Sequence, residues 1–180
     1  GVSSAASDVY KRQGIKGVPG AQSSGAALVS FNAPAFESYG KEQSYNAPVG
    51  TYGEFAYTTA LNYLLSNRTY SLQIGDTMVV FWAESAETDY QAVFMGCMDS
   101  PTDNQEELKS LFERIRLGQP VIYQGNELDP EQRFYVLGLA PNAARLSVRF
   151  FYENSFGNIL KNIFAHYKRM EIIRPKWEQK

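Results

Sequence analysis

The segment from Arg68 to Ser85 constrains the fold most, because it has the pattern of a β-hairpin whose second strand is entirely apolar. Two runs rich in β-forming residues meet at Gly75-Asp76, which is a two-residue turn signal. The second run, Met78–Ala83, contains no polar residue. Strands of this kind are buried on both faces, so we expect this one near the centre of a sheet.

A second hairpin is predicted later in the chain. Its strands are Phe134–Leu139 and Arg145–Tyr152. Pro141-Asn142 stands between them in a turn-forming order, so we expect the turn at these two residues.

Three segments are predicted to be helices from their 3.6-residue periodicity. The clearest is DNQEELKSLFERIRLG, in which Asp103 can cap the start, with Glu106 three residues on, and Gly118 can end the helix. The others are GEFAYTTALNYLLSN and SFGNILKNIFAHYKRM, the last with its stripe turned inward. The stripes consist of Phe55, Ala56, Thr59, Ala60, Tyr63 and Leu64; of Leu108, Leu111, Phe112 and Ile115; and of Phe156, Ile159, Leu160, Ile163, Tyr167 and Met170.

These elements predict an α+β fold, with a mainly antiparallel sheet built from hairpins and three helices packed against it. The chain has 180 residues, 44% hydrophobic and 20% charged, which suits one globular domain. We assign residues 14–180 to that domain. Residues 1–13 are small and polar without periodicity, and we interpret them as a non-native leader. The final charged run, RPKWEQK, has no closing element, so we expect a fragment of a longer chain.

Several kinds of chemistry are excluded or disfavoured. Cys97 is the only cysteine and His166 the only histidine, which excludes an internal disulfide and a cysteine-rich zinc site. No cofactor or metal is expected. No apolar run approaches the roughly 20 residues that span a bilayer, so we expect no membrane contact. With a single cysteine and no sign of secretion, a reduced cytoplasmic location is the default expectation. Ser38 and Lys41 fit the S-x-x-K pattern of serine acyl enzymes, but the companion motifs are absent. A non-enzyme is therefore expected, with an acyl enzyme as an alternative.

Charge is distributed unevenly along the chain, although the net charge is only −2. The segment from Glu84 to Glu107 contains seven acidic residues and no basic ones. The segment from Arg145 to Lys176 contains seven basic residues and two acidic ones. A basic end of this kind favours an anionic partner if the side chains share a face. On the last predicted helix it contributes Lys161, Lys168 and Arg169.

One strand of the second hairpin is a candidate for binding phosphates. Arg145, Ser147 and Arg149 alternate with Leu146, Val148 and Phe150, and Asn142 lies in the predicted turn. Positions four residues apart on a strand are separated by about 13 Å, so the two arginines can engage two separated phosphates but not two neighbours. The alternative is that they are solvated and paired with Asp or Glu on a neighbouring strand.

The loop between Asn32 and Asn46 is a second candidate, because it combines aromatic, amide and glycine residues. Aromatic faces can stack on bases and amides can bind base edges or sugars, which selects Asn32, Tyr39, Lys41 and Asn46. The alternative is an ordered loop packed on its own aromatic residues.

Beyond these patterns, four long motifs resemble a known family. They are GVPGAQSSGAALVSFNAPAFESYGKEQSYNAPVG, YTTALNYLL, IGDTMVVFWAES and FYVLGLAPNAARLSVRFFYENSFGNILKNIFAHYKRMEI. They resemble, in order over about residues 14–174, the central part of the large subunit of the type I-C CRISPR interference complex, the Dvulg-type subunit of Cascade.

The resemblance implies a role in nucleoprotein work without catalysis. It implies crRNA and target DNA, other Cascade subunits and a recruited helicase–nuclease as partners. The large subunit of that family senses the PAM, helps to open the duplex and holds the displaced strand, while base pairing reads the sequence. The resemblance assigns no residue roles, so the candidate residues depend on their chemistry alone. A scaffold segment that touches other subunits and no nucleic acid is the alternative.

Overall fold

The computed structural model describes residues 14–31, 33–37, 39–46, 49–85, 89–98, 105–117 and 119–170. Its α-helices are α1 (Thr51–Ser66), α2 (Asp89–Met98), α3 (Gln105–Arg116) and α4 (Phe156–Met170). Its strands are β1 (Ser71–Ile74), β2 (Thr77–Ala83), β3 (Val121–Tyr123), β4 (Asn126–Leu128), β5 (Arg133–Asn142) and β6 (Arg145–Ser155). Two short 3₁₀ turns, Pro34–Glu37 and Gln43–Asn46, precede α1.

The predicted α+β class is confirmed. Four strands form an antiparallel sheet in the order β1-β2-β5-β6, and β3 and β4 form a separate two-stranded sheet. The described residues contain four α-helices where three were predicted, because α2 was not recognised in the sequence. Asp103, Gly118 and residues 1–13 lie outside the described residues.

The first hairpin forms as predicted. Ile74 pairs with Thr77 across the two-residue turn, and Gly75 adopts a φ of +61°, which glycine tolerates without strain. Strand β2 lies between β1 and β5. Val79, Val80 and Phe81 are buried, so the prediction of a central strand is confirmed.

The second hairpin turns two residues later than predicted. Strand β5 continues through Pro141 and Asn142, and the turn falls at Ala143-Ala144, where Ala143 adopts a φ of 53°. Pro141 packs close to Gly20, where an added Cβ would lie 3.3 Å from Pro141 Cγ. Within the turn, the Ala144 carbonyl accepts a hydrogen bond from the Ala27 N–H. The predicted turn at Pro141-Asn142 is therefore wrong, because these long-range contacts extend the hairpin.

The contacts divide the chain into two compact units. The first unit comprises the described residues of Gly1–Phe81 and of Val136–Tyr152. Helix α1 buries Leu61, Leu65 and Glu54, while Phe55 is 64% and Tyr63 57% exposed. The helix itself is confirmed, but the apolar stripe seen in the sequence is not its buried side.

The second unit comprises the described residues of Trp82–Tyr135 and of Glu153–Lys180. Its core contains an aromatic cluster in which Phe134 lies 5.2 Å from both Phe94 and Phe156, between ring centroids. Phe112 stacks on Phe164 at 4.2 Å and joins α3 to α4. Helix α4 is confirmed with Phe156 buried, but Met170, predicted to face inward, is 53% exposed. A single domain over residues 14–180 stays a prediction.

Candidate nucleic-acid interface

Strand β6 carries the predicted arginine face within the first unit. Because strand residues alternate between faces, Arg145, Ser147 and Arg149 share one side. On the other side Leu146 is buried, but Val148 is 51% exposed, so this side of the strand is only partly buried. The structure therefore places the three polar residues together, on a strand that reaches solvent on both sides.

A tight contact with β5 holds this strand in place. The Phe150 ring covers Gly138, at which an added Cβ would lie 2.5 Å from Phe150 Cε1. Phe150 in turn stacks on Tyr152, with 5.4 Å between ring centroids. Aromatic cover of a strand glycine pins the register of a sheet, so the arginine positions are set by packing.

Arg149 has a carboxylate partner in the first hairpin. Its Nη2 lies 3.0 Å from Asp76 Oδ2, and the side chains are 53% and 68% exposed. Exposed ion pairs contribute about 0–1 kcal/mol, because water screens them and both side chains lose freedom. The alternative interpretation was that the arginines pair with acids on a neighbouring strand. Arg149 does pair with an acid, but Asp76 lies in the turn between β1 and β2, and the pair is exposed and weak.

Arg145 is held by an aromatic ring instead. Its Cζ lies 5.6 Å from the centroid of the Phe36 ring, and Phe36 packs edge-on against Phe31 at 6.3 Å. Within the described part of the chain, Arg145 forms no ion pair. A cation–π contact orients the side chain without cancelling its charge, so Arg145 is positioned without being neutralised.

The other polar residues predicted near this hairpin lie on it. Asn142 is exposed at the end of β5, and Ser147, between the two arginines on β6, is half-buried. Asn32 and Ser38 lie outside the described residues. The structure therefore does not test a pairing of Ser38 with Lys41.

The predicted aromatic and amide loop is ordered by its own hydrogen bonds. Asn46 Nδ2 donates to the Lys41 carbonyl at 2.7 Å, so this amide supports the loop. Tyr39 is 90% and Tyr45 59% exposed, whereas Phe31 and Phe36 pack on each other. The loop thus fits both interpretations: its phenylalanines pack on each other, and its tyrosines are exposed and available for stacking.

A depression open to solvent lies in the same loop. It has a volume of about 490 Å³ and is lined by Gly40, Lys41, Glu42 and Tyr45. Gly40 adopts a φ of +70°, which allows the backbone to turn there. Sequence reasoning selected Lys41 but missed Glu42 and Tyr45 as residues that share a concave surface with it.

The basic residues of α4 form a separate feature of the second unit. Lys161, Lys168 and Arg169 are all exposed, and Phe156–Met170 contains no Asp or Glu. Residues seven or eight apart lie on one side of a helix, so the three cations share a solvent-facing side. His166 on the same helix is also exposed.

Three groups of the second unit have shifted pKa values, and the pKa of Tyr167 is among them, raised first by burial. Burial raises the pKa of the Cys97 thiol from 9.0 to about 12. The pKa of Arg133 is raised by its hydrogen bond with Tyr135 first and by the nearby Glu153 second. Across the described ranges, no three histidine, cysteine, aspartate or glutamate side chains are grouped to hold a metal ion. No helix in those ranges combines the length and apolar character needed to cross a membrane.

Comparison of the chain with known protein families identifies its class. Residues 3–180 match the family model described as CRISPR-associated protein (Cas_Csd1). The chain belongs to this family of CRISPR-associated proteins. A comparison with curated proteins gives no match.

Proposed function

We propose that this chain is a non-catalytic part of the large subunit of a type I-C RNA-guided DNA-targeting complex. In this proposal it helps to bind crRNA and target DNA and takes part in PAM-dependent duplex opening in the cytoplasm. Its partners are the other Cascade subunits and the recruited helicase–nuclease. Membership of the Cas_Csd1 family supports a CRISPR role, and the resemblance of the quoted motifs supports the particular subunit.

The observation that carries nucleic-acid contact is the polar side of β6. Arg145 is positioned by the Phe36 ring without an ion pair among the described residues, and Arg149 holds only an exposed pair with Asp76. A phosphate is a bidentate acceptor that suits a guanidinium, and it can replace an exposed carboxylate at low cost. Ser147 lies between the two cations and can donate to a phosphate oxygen or sugar.

The test is the salt dependence of target binding by the assembled complex. Arg145→Ala and Arg149→Ala should each lower affinity and reduce the slope of log K against log salt by about 0.7–0.9, because each contact releases a counterion. Arg116→Ala is the matched control, since Arg116 is also an exposed arginine paired with a carboxylate, that of Glu113 at 2.8 Å. Unchanged slopes in both β6 variants would refute the phosphate contacts.

A scaffold function is the second candidate, and the outer side of α1 favours it. Tyr52 is 85% exposed, Phe55 64% and Tyr63 57%, while the helix's one charged residue, Glu54, is buried. Exposed aromatic residues without charges are typical of protein contact surfaces. Phe55→Ser should then reduce association with neighbouring subunits. Photo-crosslinks from nucleic acid to Tyr39, Tyr45 or Phe151 would contradict a pure scaffold.

A further inference from the structure

The depression formed by Gly40, Lys41, Glu42 and Tyr45 combines four kinds of group on one short loop. It offers a cation, a carboxylate, an aromatic ring and exposed backbone within about 490 Å³. Ligand pockets typically have volumes of about 300–1,000 Å³. The depression is therefore large enough for one small ligand group. The side chains that line it determine which kind of group can bind.

The loop is fixed before any ligand arrives. The Gly40 N–H bonds to the Glu37 carbonyl at 2.9 Å, and the Tyr45 N–H bonds to the Glu42 carbonyl at 3.1 Å. Asn46 Nδ2 ties the Lys41 carbonyl at 2.7 Å. A surface held in this way loses little conformational freedom on binding, which favours affinity.

We propose that this depression binds one unpaired nucleotide whose Watson–Crick edge carries an exocyclic amino group. The Tyr45 ring, 59% exposed, offers a face on which a base can stack. The Glu42 carboxylate accepts from an amino group such as the N4 amine of cytosine. Lys41 supplies the positive charge for the phosphate of the same nucleotide.

The aromatic ring distinguishes paired from unpaired nucleic acid. In a duplex cytosine N4 still offers one N–H to a carboxylate in the major groove, but both faces of each base are stacked on neighbouring bases, so Tyr45 has no face to stack on. An unpaired base presents free amino donors to Glu42 and a free face to Tyr45. This inference rests on the proposed function, because it assumes that nucleic acid reaches the first unit, but it assigns a base-binding role separate from the β6 arginines.

The experiment measures binding of the chain to two fluorescein-labelled oligonucleotides, dC₁₂ and dT₁₂, by anisotropy. The wild type should bind dC₁₂ more tightly, because thymine lacks the amino group. Tyr45→Ala should weaken binding of both by about fivefold or more, through loss of stacking, whereas Tyr45→Phe should bind as the wild type does. Glu42→Leu, which removes the acceptor, should abolish the preference for dC₁₂ while keeping affinity for dT₁₂.

The results also separate this inference from the proposed function. If Arg145→Ala and Arg149→Ala weaken binding while Tyr45→Ala does not, nucleic acid binds the chain but the depression holds no base. Equal affinity of the wild type for dC₁₂ and dT₁₂ would likewise overturn the inference. Circular dichroism of each variant should show the wild-type spectrum, since Tyr45 and Glu42 are both exposed.

Discussion

Arg149 Nη2 lies 3.0 Å from Asp76 Oδ2, so a residue of the last strand is joined to the turn of the first hairpin across 73 residues of sequence. The pair links the two hairpins of the sheet through their side chains. It also partly neutralises the cation that the proposed phosphate contact would use.

Asp76→Asn should raise the affinity of the chain for nucleic acid and steepen its salt dependence, because Arg149 gains freedom and a negative charge is removed. The free energy of unfolding should change by less than about 1 kcal/mol, since both side chains are more than half exposed. Salt titrations by anisotropy and denaturation curves check the two effects. Glu113→Gln, which removes the exposed partner of Arg116, should leave affinity unchanged. An Asp76→Asn chain that binds as the wild type does would show that Arg149 makes no phosphate contact.

Gly138→Ala should destabilise the chain by about 1–3 kcal/mol, because the new Cβ would lie 2.5–2.9 Å from three carbons of the Phe150 ring. The double variant Gly138→Ala/Phe150→Leu should lose less than the sum of the single losses. Urea denaturation measures both. Gly96→Ala in α2 is the control, since nothing lies within 4 Å of its added Cβ and alanine favours a helix by about 1 kcal/mol. Additive losses would indicate that the ring does not press on Gly138.

The Cys97 thiol should make stability fall as the solution becomes alkaline. Its pKa rises from 9.0 to about 12 on burial, so the folded chain keeps the proton that the unfolded chain loses. The contribution is complete below pH 9.0 and is lost as pH rises toward 12, by up to about 1.4 kcal/mol per pH unit. The free energy of unfolding of the wild type relative to Cys97→Ala should therefore decrease between about pH 9 and about pH 10.5. A constant difference across that range would contradict burial of the thiol.

The two sides of α1 should respond oppositely to truncation. Leu61→Ala should cost about 2–5 kcal/mol, because Leu61 is only 6% exposed in the core of the first unit. Phe55→Ala should change stability by no more than about 0.5 kcal/mol, because its ring is 64% exposed. Thermal or chemical denaturation distinguishes them. If Phe55→Ala were the more costly change, the apolar stripe read from the sequence would be the buried side after all.

Local sequence patterns predicted those elements that are determined by neighbouring residues alone. The Gly75-Asp76 turn and the apolar β2 need only neighbouring residues, and both were found where expected. The β3–β4 hairpin was missed because its turn is Gln124-Gly125, with φ of 49° and 85°, and glutamine is not a usual residue there. The turn at Pro141-Asn142 was wrong because contacts with Gly20 and Ala27 determine where the hairpin ends.

The sequence predicted which polar residues of β6 share one side, but not which residues they contact. Alternation along β6 suffices to place Arg145, Ser147 and Arg149 on one side. No sequence signal relates Arg149 to Asp76 or Arg145 to Phe36, since each pair comes from distant parts of the chain. Likewise the periodicity of α1 predicted a helix but the wrong buried side, because a helix with a single charged residue has apolar residues on almost every side.

Ala143 stands at the turn that leads into β6, with a φ of 53°. This left-handed conformation costs a residue with a Cβ about 1–2 kcal/mol, and glycine avoids that cost. An alanine codon becomes a glycine codon by one base change, so Ala143→Gly is a stabilising variant within immediate reach of random mutagenesis. A laboratory selection for heat resistance can therefore raise the stability of the chain at this turn without altering either arginine.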